Sequence, residues 1–199
     1  MNNPRVFDEK FIPLLERTFP LFCQYGIRSL SMDDISRHMA ISKKTLYQFV
    51  SSKDELVEAV MTYMEQKHNK RYEEITRQDT NAIDKLLEAS KYVNHEMKVY
   101  NPVMVFDLQK YYPEIMIKHF EAERQYFSEK MRDNLIQGIQ EGLYRNDLSI
   151  ELVAILYVSN LVEMHRLDEV TAQKITFDDI FQVMFENYIR GIGTPEGIA

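Results

Sequence analysis

Between Ile35 and Lys53 the chain carries Arg37, Lys43, Lys44 and Lys53 and no acidic residue. Ser42, Thr45, Tyr47 and Gln48 are interleaved with these cations. The combination suits a nucleic-acid backbone: cations neutralise phosphates, while hydroxyl and amide groups bond to phosphate or to base edges. The other chemistry-bearing residues are arranged for less. His38, His68, His95, His119 and His165 form no i, i+4 pair and have no cysteine beside them, so no metal site is expected. Cys23, the single cysteine, follows Phe22 and reads as buried filler; it excludes a disulfide framework. No Ser-His-Asp spacing, glycine-rich phosphate loop or nucleophile elbow is present, so neither catalysis nor a cofactor is expected.

The basic stretch stands out because the rest is acidic. Residues 1–60 hold eight Lys/Arg and eight Asp/Glu, and the whole chain of 199 residues has a formal charge of −7. One surface is thus reserved for an anion while the remainder keeps the protein soluble. The longest unbroken apolar run, residues 152–158, is too short to span a bilayer. The first ten residues are polar with both charge signs, unlike a secretory signal, so a cytoplasmic protein is expected.

The elements that would position the basic stretch are helices. Apolar residues at Phe11, Leu14, Leu15, Phe19 and Phe22 predict a helix over 7–25, with a kink at Pro20. Ser31 followed by Asp33 and Asp34 marks a helix start, Ser42 a second, and Ser52 with Glu55 three positions on a third. Three caps so close together leave room for a short helix ending near Met39 or Ala40, another over 43–50, and the start of a long one. Ile35, Met39, Ile41 and Leu46 would form the small core between the two short helices. Longer helices are predicted over 53–77, 81–99, 103–111, 149–167 and 177–189. Another, of about 28 residues, starts at Pro113 and stops at Gly142, where a left-handed residue is expected. No strand alternation is found, and the fold class is all-α.

Two short helices with lysines opening the second describe a helix-turn-helix, whose second helix enters the major groove by its N-terminal residues. The segments Tyr25-Gly26-Ile27, Ser31-Met32-Asp33-Asp34-Ile35, Ile41 to Tyr47 and Ser52 to Leu56 together resemble the DNA-binding domain of TetR-type transcriptional regulators. The resemblance covers about residues 8–60, with a weaker echo at Tyr188 to Ile192. It implies DNA contacts from Ser31, Ser42, Lys43, Lys44, Thr45, Tyr47, Gln48 and Lys53. Three departures stand out: Ala40 where the family often has glycine, Val50 where an aromatic is usual, and Pro20 in the first helix. Placing Ala40 left-handed would cost about 1 kcal/mol, so a slightly different turn is expected.

The expected organisation is a helix-turn-helix domain over 1–60 and a helical ligand-sensing and dimerisation domain over 61–199. Tyr92, Glu96, Tyr100, Met104, Phe106, Tyr111, Phe120, Phe127 and His165 are candidates to line an effector pocket, since Met and Tyr suit an adaptable apolar site. The last two long helices are apolar over most of their circumference. Ile155, Val158, Val162, Phe181, Phe185 and Tyr188 are accordingly expected at a two-fold homodimer interface. The resulting expectation is a regulator, usually a repressor, that binds a near-palindromic DNA operator as a homodimer and is released by a small apolar or aromatic effector. Two alternatives stay open. One is a helical enzyme or carrier of lipid or other hydrophobic ligands with structural N-terminal helices; the other is an architectural DNA binder without an effector. The first leaves the 37–53 basic run unexplained.

Overall fold

The structure is a computed structural model that describes residues 5–97, 101–163 and 177–198. Within them the order is α1 Ile12–Tyr25, α2 Met32–Met39, α3 Lys43–Leu46, α4 Lys53–Thr76, α5 Ala82–Met97, α6 Pro102–Tyr111, α7 Pro113–Gln140, α8 Ile150–Glu163, α9 Phe177–Ile192 and α10 Pro195–Ile198. The all-α reading holds. α1 starts one turn later than its apolar pattern suggested and runs through Pro20 as one helix. α10 was not foreseen; its Pro195 follows Thr194, whose hydroxyl donates to the Gly142 carbonyl and whose N–H donates to that of Leu143.

The described residues fall into two compact units, Met1–Arg71 with Lys98–Glu121, and Tyr72–Met97 with Ala122–Ala199. The first takes in more than residues 1–60, for a physical reason. Met104 and Leu108 of α6 are buried in the same core as Leu15, Phe22, Ile35, Leu46 and Leu56. Asp107 of α6 is itself buried and accepts the Arg28 N–H at 2.8 Å. Phe11 stacks on Phe49 at 4.9 Å, so Phe49 supplies the ring while neighbouring Val50 is a buried aliphatic.

The second unit packs α5, α8, α9 and the later turns of α7 around Leu86, Met131, Leu135, Tyr157 and Phe181. Gly142 ends the turn after α7 with φ +76, the left-handed stop its position predicted. Gly138 is required by close approach, because the ring of Tyr144 lies where a Cβ would be.

Candidate nucleic-acid interface

Ser31 caps α2 as expected and does more. Its hydroxyl accepts the Asp34 N–H at 3.2 Å while Asp34 Oδ2 accepts the Ser31 N–H at 3.0 Å, a reciprocal capping box. The Ser31 hydroxyl also donates to Asp34 Oδ2, and this bond together with the one from the Ser31 N–H holds the Asp34 carboxyl below its usual range. α2 ends at Ala40 with φ 56 and ψ 37, a left-handed alanine. The expectation of a different turn is corrected: the Ile41 N–H reaches back to the Ser36 carbonyl at 3.1 Å, which closes the turn around Ala40 despite its Cβ. Arg17 of α1 donates to the carbonyls of His38 and Met39, satisfying the end of the same helix.

Ser42 then starts α3, accepting the Thr45 N–H at 3.0 Å. α3 is shorter than the predicted 43–50 because the chain tightens: Gln48 and Phe49 bond to carbonyls three residues back, not four. Lys43, Lys44, Tyr47 and Gln48 are exposed side by side on this segment. Lys43 pairs with Asp33 at 3.1 Å across the turn, with both side chains about half exposed. An exposed pair of that kind contributes at most about 1 kcal/mol, so a phosphate can displace it. The Thr45 and Ser42 hydroxyls are 2.8 Å apart and engage each other. Lys53 opens α4 half-buried; burial lowers its pKa, while Asp107, Asp54 and Asp34 oppose that shift. Ser52 caps α4 through the Glu55 N–H, but Glu55 returns its hydrogen bonds to Ser51, one residue earlier than the box predicted.

The eight candidate DNA contacts thus lie on one stretch of the first unit, 31–53. The contacts of Asp33 with Lys43 and of Arg17 with the end of α2 are the neighbours of this stretch that the sequence did not disclose. The acid of Asp33 reads equally well as first-turn dipole compensation, and Arg17 acts from 21 or 22 residues away, beyond any local pattern.

The predicted pocket residues that are described divide between the two units. Met104 is core of the first unit, with its sulfur 3.5 Å from Cys23 Sγ. Phe106, Tyr111 and Phe120 are exposed on that unit, and Tyr111 covers the Arg28 guanidinium at 4.3 Å. Tyr92, Glu96 and Phe127 belong to the second unit. Tyr100 and His165 lie outside the described residues. Of the seven that are described, Phe127 alone borders a cavity inside the second unit whose volume is about 20 Å³. Tyr72, Ser90, Met131, Tyr157 and Val158 also line it.

The expected dimer face is corrected in part. Val158 and Phe181 are 3% and 6% exposed, packed into the second unit's own core. Tyr188 is half-buried against Tyr157, ring centres 4.3 Å apart, and Phe185 packs against the same core. Ile155 does face outward at 53%, in company with Leu152, Leu156 and Val183. The side chain of Val162 lies outside the described residues. Apolar periodicity around a full helix reveals two faces; it does not say which one the monomer keeps.

Known proteins share this arrangement. Residues 14–60 match the family described as "Bacterial regulatory proteins, tetR family". The chain is 25% identical over 147 residues to the HTH-type transcriptional repressor KstR2 of Mycobacterium tuberculosis, across 70% of this chain and 72% of that one. The structure of that ketosteroid transcriptional regulator superposes with a TM-score of 0.57 at 21% identity, over 98% of this chain and all of the other. The HTH-type transcriptional regulator YvaF of Bacillus subtilis is 33% identical over 103 residues, 50% of this chain and 52% of that one. A transcriptional regulator from Saccharomonospora viridis, crystallised with choline, has a TM-score of 0.77 at 14% identity, covering 94% and 98% of the two chains. The relatives are transcriptional regulators, not enzymes. No helix among the described residues is long and apolar enough to cross a membrane.

Proposed function

We propose that this chain, a TetR-type transcriptional regulator, acts as a homodimeric repressor that occupies a near-palindromic operator and leaves it when a small apolar or aromatic molecule binds. One observation carries the reading. Ser31 and Ser42 cap two short helices around the closed turn at Ala40, and this presents Lys43, Lys44, Tyr47 and Gln48 on one exposed stretch. In a helix-turn-helix the second helix meets base edges while cations around it hold phosphates. Lys43, Lys44, Lys53 and the Tyr47 hydroxyl are assigned to phosphate and Gln48 to a base edge, with Ser31, Ser42 and Thr45 near the backbone.

Outward Leu152, Ile155 and Leu156 on one face of α8, and Val183 on α9, support a two-fold partnership between copies, since large exposed apolar side chains favour burial. Such a dimer carries two reading heads to half-sites one helical turn apart. The relatives support the other half of the scheme: one is named a repressor and another was crystallised with a small molecule. An effector that prefers the wrongly spaced dimer by about 3 kcal/mol would shift the equilibrium about 100-fold. Selection from a random duplex pool with purified protein tests the reading. A near-palindromic consensus is expected; recovery of unenriched sequence would overturn it.

A further inference from the structure

The cavity inside the second unit is walled mainly by apolar side chains, and among the described residues no Lys, Arg, His, Asp or Glu lines it. Its lining hydroxyls are those of Tyr72, Ser90 and Tyr157, all three residues buried, and the Ser90 and Tyr157 oxygens are 2.6 Å apart. Two hydroxyls carry two hydrogens, and the bond between them uses one. Neither forms another hydrogen bond among the described residues, so one buried donor is left over. Asn94 stands one turn beyond Ser90 on the same face of α5, and its buried Oδ1 has no partner. Tyr188, in ring contact with Tyr157, has a buried hydroxyl in the same condition. Asn94 and Tyr188 do not line the cavity themselves; the spare hydrogen of the Ser90–Tyr157 pair, which does, calls for an acceptor. The present volume matches one water, so anything larger must displace a wall residue. Met131 has the flexibility for that, and Phe127 is the ring it adjoins.

We propose that this cavity is the binding site for an uncharged, mainly apolar molecule bearing one carbonyl or hydroxyl oxygen, which accepts the spare hydrogen of the Ser90–Tyr157 pair. As an effector site it rests on the regulator role proposed above; as a binding site it stands without DNA. A carboxylate or ammonium would be buried there with no counter-ion, at prohibitive cost. A pure hydrocarbon would leave the donor unmet.

Calorimetric titration of the full chain, without DNA, with 2-acetylnaphthalene, naphthalene and 2-naphthoate tests each part. In the wild type or in Phe127→Ala, which enlarges the cavity, the ketone is expected to bind about 10-fold more tightly than naphthalene. At neutral pH it should bind about 100-fold more tightly than the carboxylate. The double variant Ser90→Ala with Tyr157→Phe, its fold checked by circular dichroism, should remove the ketone's advantage and leave naphthalene unchanged, because either single variant still leaves one hydroxyl hydrogen to donate. Three results would overturn the proposal: naphthoate binding as well as the ketone, both neutral probes weakening equally in the double variant, or no ketone binding to wild type and Phe127→Ala alike. Loss of operator selection would instead overturn the regulator role and leave this titration untouched.

Discussion

In the first unit, carboxylates near the surface take hydrogen bonds and cations: Asp34 from Ser31, Glu55 from Ser51, Glu16 from Lys67 and Tyr63, Glu58 from Lys118. Each is held below its ordinary range by those partners. In the second unit the perturbed groups are phenols, Tyr72, Tyr126, Tyr144, Tyr157 and Tyr188, all pushed well up by burial. The first unit shapes its surface by hydrogen bonds to exposed carboxylates, local at Asp34 and Glu55 and long-range at Glu16 and Glu58. The second hides its polar groups in an interior where each hydroxyl needs a specific partner. A part that reads a polyanion and a part suited to an apolar ligand would differ in this way.

The contrast is broken most severely by a charge placed on the wrong face of α8. Val158→Glu buries a carboxylate in the second unit's core and should cost about 4 kcal/mol or more, visible as a collapsed thermal midpoint. Leu156→Glu, two residues away but 62% exposed, should leave that midpoint nearly unchanged. It should instead split the dimer toward the 23.7 kDa monomer in sedimentation equilibrium, with operator affinity falling alongside. If the two variants behaved alike, the division between kept and shared faces would be wrong.

Extremes of pH should next weigh more on one unit than the other. Alkali acts on five raised phenols in the second unit and on Tyr63 and Tyr112 in the first, acid on the first unit's carboxylates. The five phenols favour the neutral form when folded, so their contribution is complete below the unfolded value of 10 and is lost as pH climbs above it. The four carboxylates favour the ionised form when folded. Their contribution is present above unfolded values of 3.8 for Asp and 4.5 for Glu, and is lost as pH falls through the lowered folded values. Because those carboxylates are largely exposed, the acid effect should be the smaller one. A part of the tyrosinate absorbance should rise only together with loss of helix in alkali; completion of the whole rise before any helix is lost would count against buried phenols.

Smaller effects sharpen the picture on the DNA side. Tyr47→Phe should weaken operator binding about fivefold to tenfold, with unchanged circular dichroism, since it removes one exposed hydroxyl. Ala40→Gly should raise stability by about 0.5–1 kcal/mol in urea titration, because glycine accepts φ 56 without strain. A destabilised Ala40→Gly variant would mean that the turn is held by something other than its backbone bonds.

The same contrast explains what the sequence made legible. Caps act over three or four residues, so Ser31, Ser42, Ser52 and the lysines after Ser42 could be placed directly on their helices. The shortness of α3 escaped because i−3 and i−4 bonding look identical in composition. In the second unit, the partners that decide each residue's role lie far along the chain: Ser90 meets Tyr157 over 67 positions. Tyr, Phe and Met at helical spacing therefore announced an apolar interior without separating the cavity-lining Phe127 and Met131 from the core Met104 or the exposed Phe106. Val158 and Leu156 differ by about half a helical turn, and nothing in their types tells which faces inward.

The central claim is that the 31–53 stretch of the first unit binds DNA through its exposed cations, and Lys44 is the sharpest probe of it. Anisotropy titrations of the selected operator with wild type and Lys44→Ala across a range of salt concentrations should give two log–log lines. The variant should bind more weakly at physiological salt, with a slope smaller in magnitude by about 1, as one phosphate contact is lost. Equal affinity and equal slope for the two proteins would contradict it.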